Sequence, residues 1–278
     1  MPMRSYKLSA KEPRARQKEF RCRKKVRVDM QREPVVFLPG MMCDMRHFGF
    51  QMMDIANDRS VMAGNVAKAN TISEIAKSVL DEAPSRFALI GLAMGGMVAL
   101  EIIRIAPERV VRLALLNTDP LAETSQVSLE RDSQIIRATT GLFEDVISEQ
   151  VNENCLAPGP NKESVRNLLT DMAHGLGPEV FARQSHALQV RPDQQATLRR
   201  IRVRTLILCG EYDNATPRRH HQMMSQLIPD ASLRVIKGAG DFPTLEQPLA
   251  TSNALKKWLT SYDDLPIDGG HLFETQIA

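Results

Sequence analysis

Short apolar runs alternate with longer amphipathic stretches along most of the chain. The apolar runs are rich in Val, Ile and Leu and stop at turn-forming residues, which is typical of buried strands. The stretches between them repeat apolar residues about every three to four positions, as helices with one buried face do. Strands are predicted at residues 34–38, 60–66, 86–92, 110–116, 203–209 and 233–236, and helices at 71–80, 97–105, 164–173, 178–188, 217–227 and 249–259.

The order of these elements predicts the class of fold. Strands that alternate with helices across short links favour an α/β fold with a mostly parallel, doubly wound sheet. Between residues 121 and 197 the strand pattern stops and amphipathic helices follow one another, which we interpret as an inserted helical cap. The core is then formed by 34–120 and 198–260, and residues 261–278 are predicted to be a loosely attached tail.

Charge is concentrated at the N-terminus. Residues 1–33 hold twelve Lys and Arg against four acids, a net of +8, so the rest of the chain carries −5 of the total of +3. An arm of this kind fits a disordered tail, an upstream start before Met30, a targeting segment, or contact with nucleic acid or an acidic membrane. The rest of the chain has no interleaved aromatic and basic patch, so a nucleic-acid partner is not expected.

Cysteine usage and hydropathy indicate the compartment. The four cysteines lie far apart, with no CxxC pair and no metal-type spacing, which favours reduced thiols. No apolar run reaches the roughly 18 residues of a membrane span, and the start has no apolar core of a secretory signal. The expectation is a soluble, cytoplasmic protein without a bound metal or cofactor; no oligomeric state is predicted.

The sharpest local motif is the junction of a strand and a helix at Gly91-Leu92-Ala93-Met94-Gly95. Glycines two positions before and after a central residue permit a turn so tight that the central backbone is strained. Such a turn lifts the central side chain out of the end of the sheet. In this chain that side chain is only the methyl group of Ala93.

Four segments resemble the α/β-hydrolase family, and the resemblance covers roughly residues 34–260. They are Leu38–Met42, the turn around Ala93, residues 209–217, and residues 237–248 with their Glu246-Gln247-Pro248 helix start. Among family members the chain looks most like small bacterial hydrolases such as 3-oxoadipate enol-lactonases and carboxylesterases. The resemblance implies an esterase-like site for a small ester, lactone or acyl substrate.

Site roles follow from the same resemblance. The backbone N–H groups of Met41 and Met94 match the oxyanion hole, and Asp213 matches the acid of the catalytic triad. Ala93 stands where the family has its Ser nucleophile, and Asp241 stands where it has the catalytic His. Alanine has no attacking atom, and a carboxylate, with its ordinary pKa near 3.9, is a poor general base at neutral pH. Hydrolysis through an acyl-enzyme is therefore predicted to be nearly absent.

Other residues offer no clear replacement for the missing groups. His47 follows the oxyanion loop and is interpreted as a pocket-wall or surface residue, whereas His220 and His221 are predicted to point away from the site. Cys43 is expected to be buried and inert. Asp119 stands where some family members place an alternative acid, but an acid does not replace a base. If Asp213 and Asp241 face one another, one of their pKa values should be raised.

Several functions stay open at this point. One is a hydrolase whose nucleophile and base have been replaced, and another is a non-catalytic receptor that keeps the pocket for a ligand. Non-hydrolytic chemistry on the same scaffold is disfavoured because the comparable family members use the His. A role based on the basic arm alone has the least support. The expected partner is a small ester or acyl compound.

Overall fold

The computed structural model describes residues 33–152 and 154–260, so the basic arm up to residue 32 and the predicted tail 261–278 lie outside the described residues. Six parallel strands form one sheet in the order β2-β1-β3-β4-β5-β6. The strands are β1 Val35–Leu38, β2 Val61–Ala63, β3 Phe87–Leu92, β4 Val110–Leu116, β5 Thr205–Gly210 and β6 Ala231–Ile236. The predicted α/β fold with a parallel sheet is confirmed.

Helices connect the strands and cover the sheet. They are α1 Gly49–Ala56, α2 Ile72–Glu82, α3 Met94–Ile105, α4 Ser125–Thr139, α5 Phe143–Gln150, α6 Lys162–Leu176, α7 Pro178–Gln189, α8 Gln195–Leu198, α9 Arg218–Leu227, α10 Pro243–Glu246 and α11 Pro248–Thr260, with 3-10 turns at Met45–Phe48 and Pro107–Arg109. Helix α1 was not predicted, because its buried face is carried by only Gln51 and Ile55. No helix of the described part is long and apolar enough to cross a membrane.

The two faces of the sheet have separate cores, because alternate residues of a strand point to opposite sides. Leu89 of β3 packs with α2, α3 and α9 on one face. Ile90, the next residue, packs on the other face with α1 and α11. Burial on both faces explains why the strands are continuous apolar runs rather than alternating ones.

Within its described residues, 117–152 and 154–204, the segment between β4 and β5 contains the helices α4 to α8 and no strand. Helix α7 joins this segment to the loops after β1 and β2. Buried Gln184 accepts a hydrogen bond from the Met42 N–H (2.8 Å) and donates one to the Val66 carbonyl (3.2 Å). The helices therefore lie against the carboxyl ends of the strands, where ligands bind in open parallel sheets.

Candidate active site

The turn between β3 and α3 holds Ala93 in an unusual backbone conformation. Its φ is 50° and its ψ is −115°, a region that residues with a side chain rarely adopt. Hydrogen bonds fix it there: the Ala93 N–H donates to the Leu116 carbonyl (2.9 Å), and the Thr118 hydroxyl donates to the Ala93 carbonyl (2.7 Å). A side chain at Gly91 would meet the Gly95 backbone, and one at Gly95 would meet Leu38. The close packing explains both glycines.

Two backbone amides beside Ala93 have no acceptor within the part of the chain that the structure describes. They are the N–H groups of Met41, after β1, and Met94, the first residue of α3. Met42, at φ 54°, turns its own N–H away to Gln184. The Met94 amide also lies at a helix N-terminus, which favours negative charge. The two N–H groups can therefore donate hydrogen bonds to the oxygen of a polarised carbonyl group.

Asp213 and Asp241 lie together at the ends of β5 and β6. Their carboxyl groups are within hydrogen-bonding reach of one another. Asp213 also accepts hydrogen bonds from the Thr216 N–H (2.7 Å) and from the side-chain amide of Asn117 (2.9 Å). Asp241 accepts from the N–H groups of Asn214 (2.9 Å) and Ala215 (3.3 Å). The two loops are thus joined through carboxylate contacts.

Burial of this carboxyl pair changes its protonation. Burial, and then the neighbouring charge of Asp241, raise the pKa of Asp213 to about 8. Burial also raises the pKa of Asp241, against the effect of its backbone hydrogen bonds. Two close carboxylates cannot both ionise without strong repulsion. At neutral pH the pair therefore holds one proton between the two carboxyl groups.

The loop that carries Asp241 is held by another, partly buried carboxyl group, that of Glu246. It accepts hydrogen bonds from the N–H groups of Gly240 (2.9 Å), Phe242 (2.9 Å) and Ala157 (2.6 Å). A side chain at Gly240 would meet the Cys155 carbonyl. Residue 241 is therefore fixed in position by its neighbours, whichever side chain stands there.

Three histidines, His47, His220 and His221, lie close to the site but not at its reacting centre. His47 is fully buried, accepts the Gly40 N–H through Nδ1 (3.3 Å), and has its pKa lowered to about 3, mainly by burial. The prediction that His220 and His221 point away is wrong. His220 lines the cavity, with Nδ1 3.5 Å from an Asp119 oxygen. Buried His221 lies behind Asp213, with Nε2 3.8 Å from its carboxylate.

The thiols are poor nucleophiles in this structure. Burial raises the pKa of Cys43 strongly and the pKa of Cys155 to about 11. Cys155 lines the cavity, but its Sγ donates to the Asn152 carbonyl (3.0 Å). Among the described residues, no group of three or more His, Cys, Asp or Glu could hold a metal ion.

A cavity of about 720 Å³ opens above Ala93, beneath the helices that follow β4. Its floor includes Gly40, Met41, Ala93, Met94 and Asp241. The helical segment contributes the opposite wall.

Three residues of this wall were not predicted to face the cavity, because helical periodicity does not show which polar side chains turn inward. Those residues are Glu123, Arg131 and Arg191. Asn117 was also missed, although a polar residue at the end of β4, in line with the other strand ends, was a usable signal.

Comparison with known proteins identifies the family. Residues 35–254 match the model of the alpha/beta hydrolase family, so the chain belongs to that family. It is 26% identical over 185 residues to a putative carbamate hydrolase, RutD, of Pseudomonas savastanoi, covering 63% of this chain and 68% of that one. It is 24% identical over 216 residues to the pimeloyl-[acyl-carrier protein] methyl ester esterase of Photobacterium profundum, covering 69% and 77%.

Solved structures show the same fold. An esterase from Thermogutta terrifontis superimposes with a TM-score of 0.75 at 22% identity, covering 82% of this chain and 89% of that one. The enol-lactonase from Burkholderia xenovorans gives a TM-score of 0.75 at 18% identity, covering 83% and 92%. At these identities the structural likeness shows the fold and leaves activity to be argued from the site.

Proposed function

We propose that this protein binds a small ester, lactone or related acyl compound in the cavity above Ala93 and does not form a covalent acyl-enzyme with it. The proposal rests on two backbone amides that have no acceptor among the described residues, those of Met41 and Met94, and on the methyl group of Ala93, which lines the same cavity. The relatives named as a carbamate hydrolase and a methyl ester esterase support a carbonyl compound as the ligand.

Ligand binding needs only the two backbone amides and the cavity, neither of which depends on a Ser or His side chain. The two amides can donate to the carbonyl oxygen, and the cavity is large enough to enclose a small organic molecule. Its floor carries the apolar side chains of Met41, Met97 and Phe242. Apolar contact combined with a few directed donors is the usual composition of a small-molecule site.

Turnover lacks both a nucleophile and a base. Ala93 has no atom to attack a carbonyl carbon, and in related triad enzymes loss of the nucleophile costs on the order of 10⁶ in turnover. Asp241 is held by backbone N–H groups and shares a proton with Asp213, so it does not serve as an imidazole would. The acyl-enzyme route is therefore closed at its first step.

A dedicated, non-catalytic ligand-binding role is the second candidate, and the contacts of Asp241 favour it. One oxygen of this side chain accepts from two successive N–H groups, those of Asn214 and Ala215. A single imidazole nitrogen has only one lone pair for these donors. The aspartate thus has a structural place of its own in the loop, as expected of a site adapted to binding.

Restoration of the missing groups tests the proposal. Ala93→Ser, Asp241→His and the double variant are assayed with p-nitrophenyl butyrate and small lactones, beside the unchanged chain. We expect the double variant to exceed either single variant by about 100-fold or more, the usual range for a general base. Substantial hydrolysis by the unchanged chain would contradict the proposal. An inactive double variant, together with tight binding by the unchanged chain, would favour the dedicated receptor.

A further inference from the structure

Two arginines surround one buried carboxylate in the wall of the cavity. Arg131 of α4 binds Glu123 through Nε and Nη2 at 2.9–3.2 Å. Arg191, which follows α7, binds the same carboxylate through Nη1 at 2.8 Å. The Glu123 side chain is only 2% exposed, and all three residues line the cavity. We call Glu123, Arg131 and Arg191 the arginine cluster.

The arginine cluster carries a surplus positive charge. Burial alone would raise the pKa of Glu123, but the hydrogen bonds and charges of Arg131 and Arg191 outweigh it and lower the pKa. Glu123 is therefore ionised, and arginine stays protonated at all ordinary pH values. Two cations against one anion leave a net charge of +1 in a partly buried place, where charge is poorly screened.

The cluster also has donors to spare. Arg131 Nη1 contacts only a sulfur, that of Met41, at 3.8 Å. Arg191 Nη2 has no acceptor within the described ranges, while its Nε and Nη1 bond the Leu121 and Leu188 carbonyls and Glu123. Arg191 Nη2 is not a buried atom, so it is accessible, and the sulfur of Met41 is only a weak acceptor for Arg131 Nη1. Guanidinium groups with free donors match the oxygens of a carboxylate.

From this arrangement we propose that the arginine cluster is a subsite for a carboxylate group on the ligand. The ligand is then an anionic acyl compound, such as a half-ester of a dicarboxylic acid or a lactone with a free carboxylate. The inference rests on the proposed function and names the class of compound for the same cavity. Met41 links the two parts, since its amide faces the carbonyl position and its sulfur touches Arg131.

Other charges in the cavity restrict the anion to this one wall. Asp119 lies opposite His220, and Glu149 is paired with Arg137. Asp241, in the floor, faces the cavity as part of the carboxyl pair. A ligand with one carboxylate is therefore oriented with that group at the arginine cluster and its acyl group toward Ala93.

A pair of ligands tests this on the unchanged chain. Monoethyl succinate, which is anionic, and diethyl succinate, which is neutral, are titrated calorimetrically, with monoethyl adipate as a longer anion. We expect at least one half-ester to bind about tenfold tighter or more than the diester, the ratio that one charge-assisted hydrogen bond confers. Diester affinity equal to that of both half-esters would overturn the inference and leave the proposed function intact. Binding of neither kind of ester would contradict both.

Substitutions in the arginine cluster test whether these residues cause the preference for the half-ester. Arg191→Gln and Arg131→Gln each remove one cation, and Lys68→Gln removes a cation from the exposed pair with Glu82, away from the cavity. We expect either arginine variant that melts cooperatively to lose most of the half-ester preference while it retains diester binding, and Lys68→Gln to keep the preference. An unchanged preference in a folded arginine variant would overturn the inference. If neither variant folds, the ligand pair on the unchanged chain decides it.

Discussion

The carboxyl groups of Asp213 and Asp241 share a hydrogen bond at the floor of the cavity, although the two residues lie at the ends of different strands. Asn117 links the two strand ends as well, because its side-chain amide donates hydrogen bonds to Asp213 (2.9 Å) and to the Gly240 carbonyl (3.1 Å). Burial makes the pair hold a proton at a pH at which exposed carboxyl groups are ionised. Protonation of this pair is therefore linked to folding.

Asp241→Asn tests this linkage. Asp213 has a folded pKa of about 8, above its unfolded value of about 4, so only the folded state keeps the proton between these values. Stability should therefore fall as the pH rises from about 4 to about 8. In the variant the amide donates permanently to Asp213 and removes the need for the proton. We expect a gain at pH 8 of about 1.4 kcal/mol, or about 3 °C in melting temperature, and a flatter pH profile.

Melting curves between pH 4 and pH 8 give the measurement, with Asp58→Asn as the control. Asp58 is exposed, so its substitution should leave the profile unchanged. If Asp241→Asn lowers the melting temperature at pH 8 and keeps the slope of the unchanged chain, the pair does not hold the proton.

Ala93→Gly should stabilise the fold. A Cβ at φ 50° and ψ −115° costs about 1 kcal/mol or more, and glycine adopts this region freely. We expect a gain of about 1 kcal/mol in the free energy of unfolding, measured by denaturant titration. Ala99→Gly, in the middle of α3, should lose about 1 kcal/mol or more because glycine is unfavourable in helices. Equal losses in the two variants would mean that residue 93 is not strained.

Gly95→Ala should be severely destabilising. A Cβ at this position would meet the backbone of Leu38 and Pro39, which cannot move without displacing β1. Overpacking of this kind costs about 3 kcal/mol or more. Gly49→Ala, at the start of α1, is the matched control, because its Cβ would meet no atom within 4 Å. Similar melting temperatures for the two variants would show that the turn can accommodate a Cβ at residue 95, which would contradict the close packing seen there.

Gln184→Met should weaken ligand binding as well as stability. The glutamine holds the Met42 N–H and so fixes the loop that presents the Met41 amide. A buried N–H left without an acceptor costs about 1–3 kcal/mol. We expect lower ester affinity in calorimetric titration together with a lower melting temperature. The control Gln126→Met, on an exposed part of α4, should change neither the ester affinity nor the melting temperature. Full ester affinity in Gln184→Met would show that the loop after β1 does not contribute to binding.

The fold could be predicted from the sequence because its signals are local. Apolar runs such as Val110–Leu116 are buried on both faces and stop at a turn residue, so that the predicted strand coincides with the observed one. Helix α3 begins at Met94 rather than at residue 97, because the tight turn feeds directly into it. Helix α1 lacks an apolar stripe and was missed.

The resemblance to the family proposed three residues for one site, and the positions of the strands explain why they lie near one another. Ala93, Asp213 and Asp241 follow β3, β5 and β6, and parallel strands bring their carboxyl ends to one edge. The arginine cluster was not predictable, because the rotation of α4 and the path after α7 depend on packing between distant segments. The prediction for His220 was wrong for the same reason. Periodicity separates the apolar face of a helix from its polar face, but it does not show which part of the protein each face contacts.

The central claim is that the cavity binds acyl compounds without turning them over, and one calorimetric measurement tests both parts. Ethyl butyrate is injected into the unchanged chain and, in parallel, into the Ala93→Ser, Asp241→His double variant. The account predicts a saturable binding heat that returns to baseline for the unchanged chain and a continuing heat of hydrolysis for the double variant. A continuing heat of similar size from the unchanged chain, or the lack of any saturable heat from it, would contradict the account.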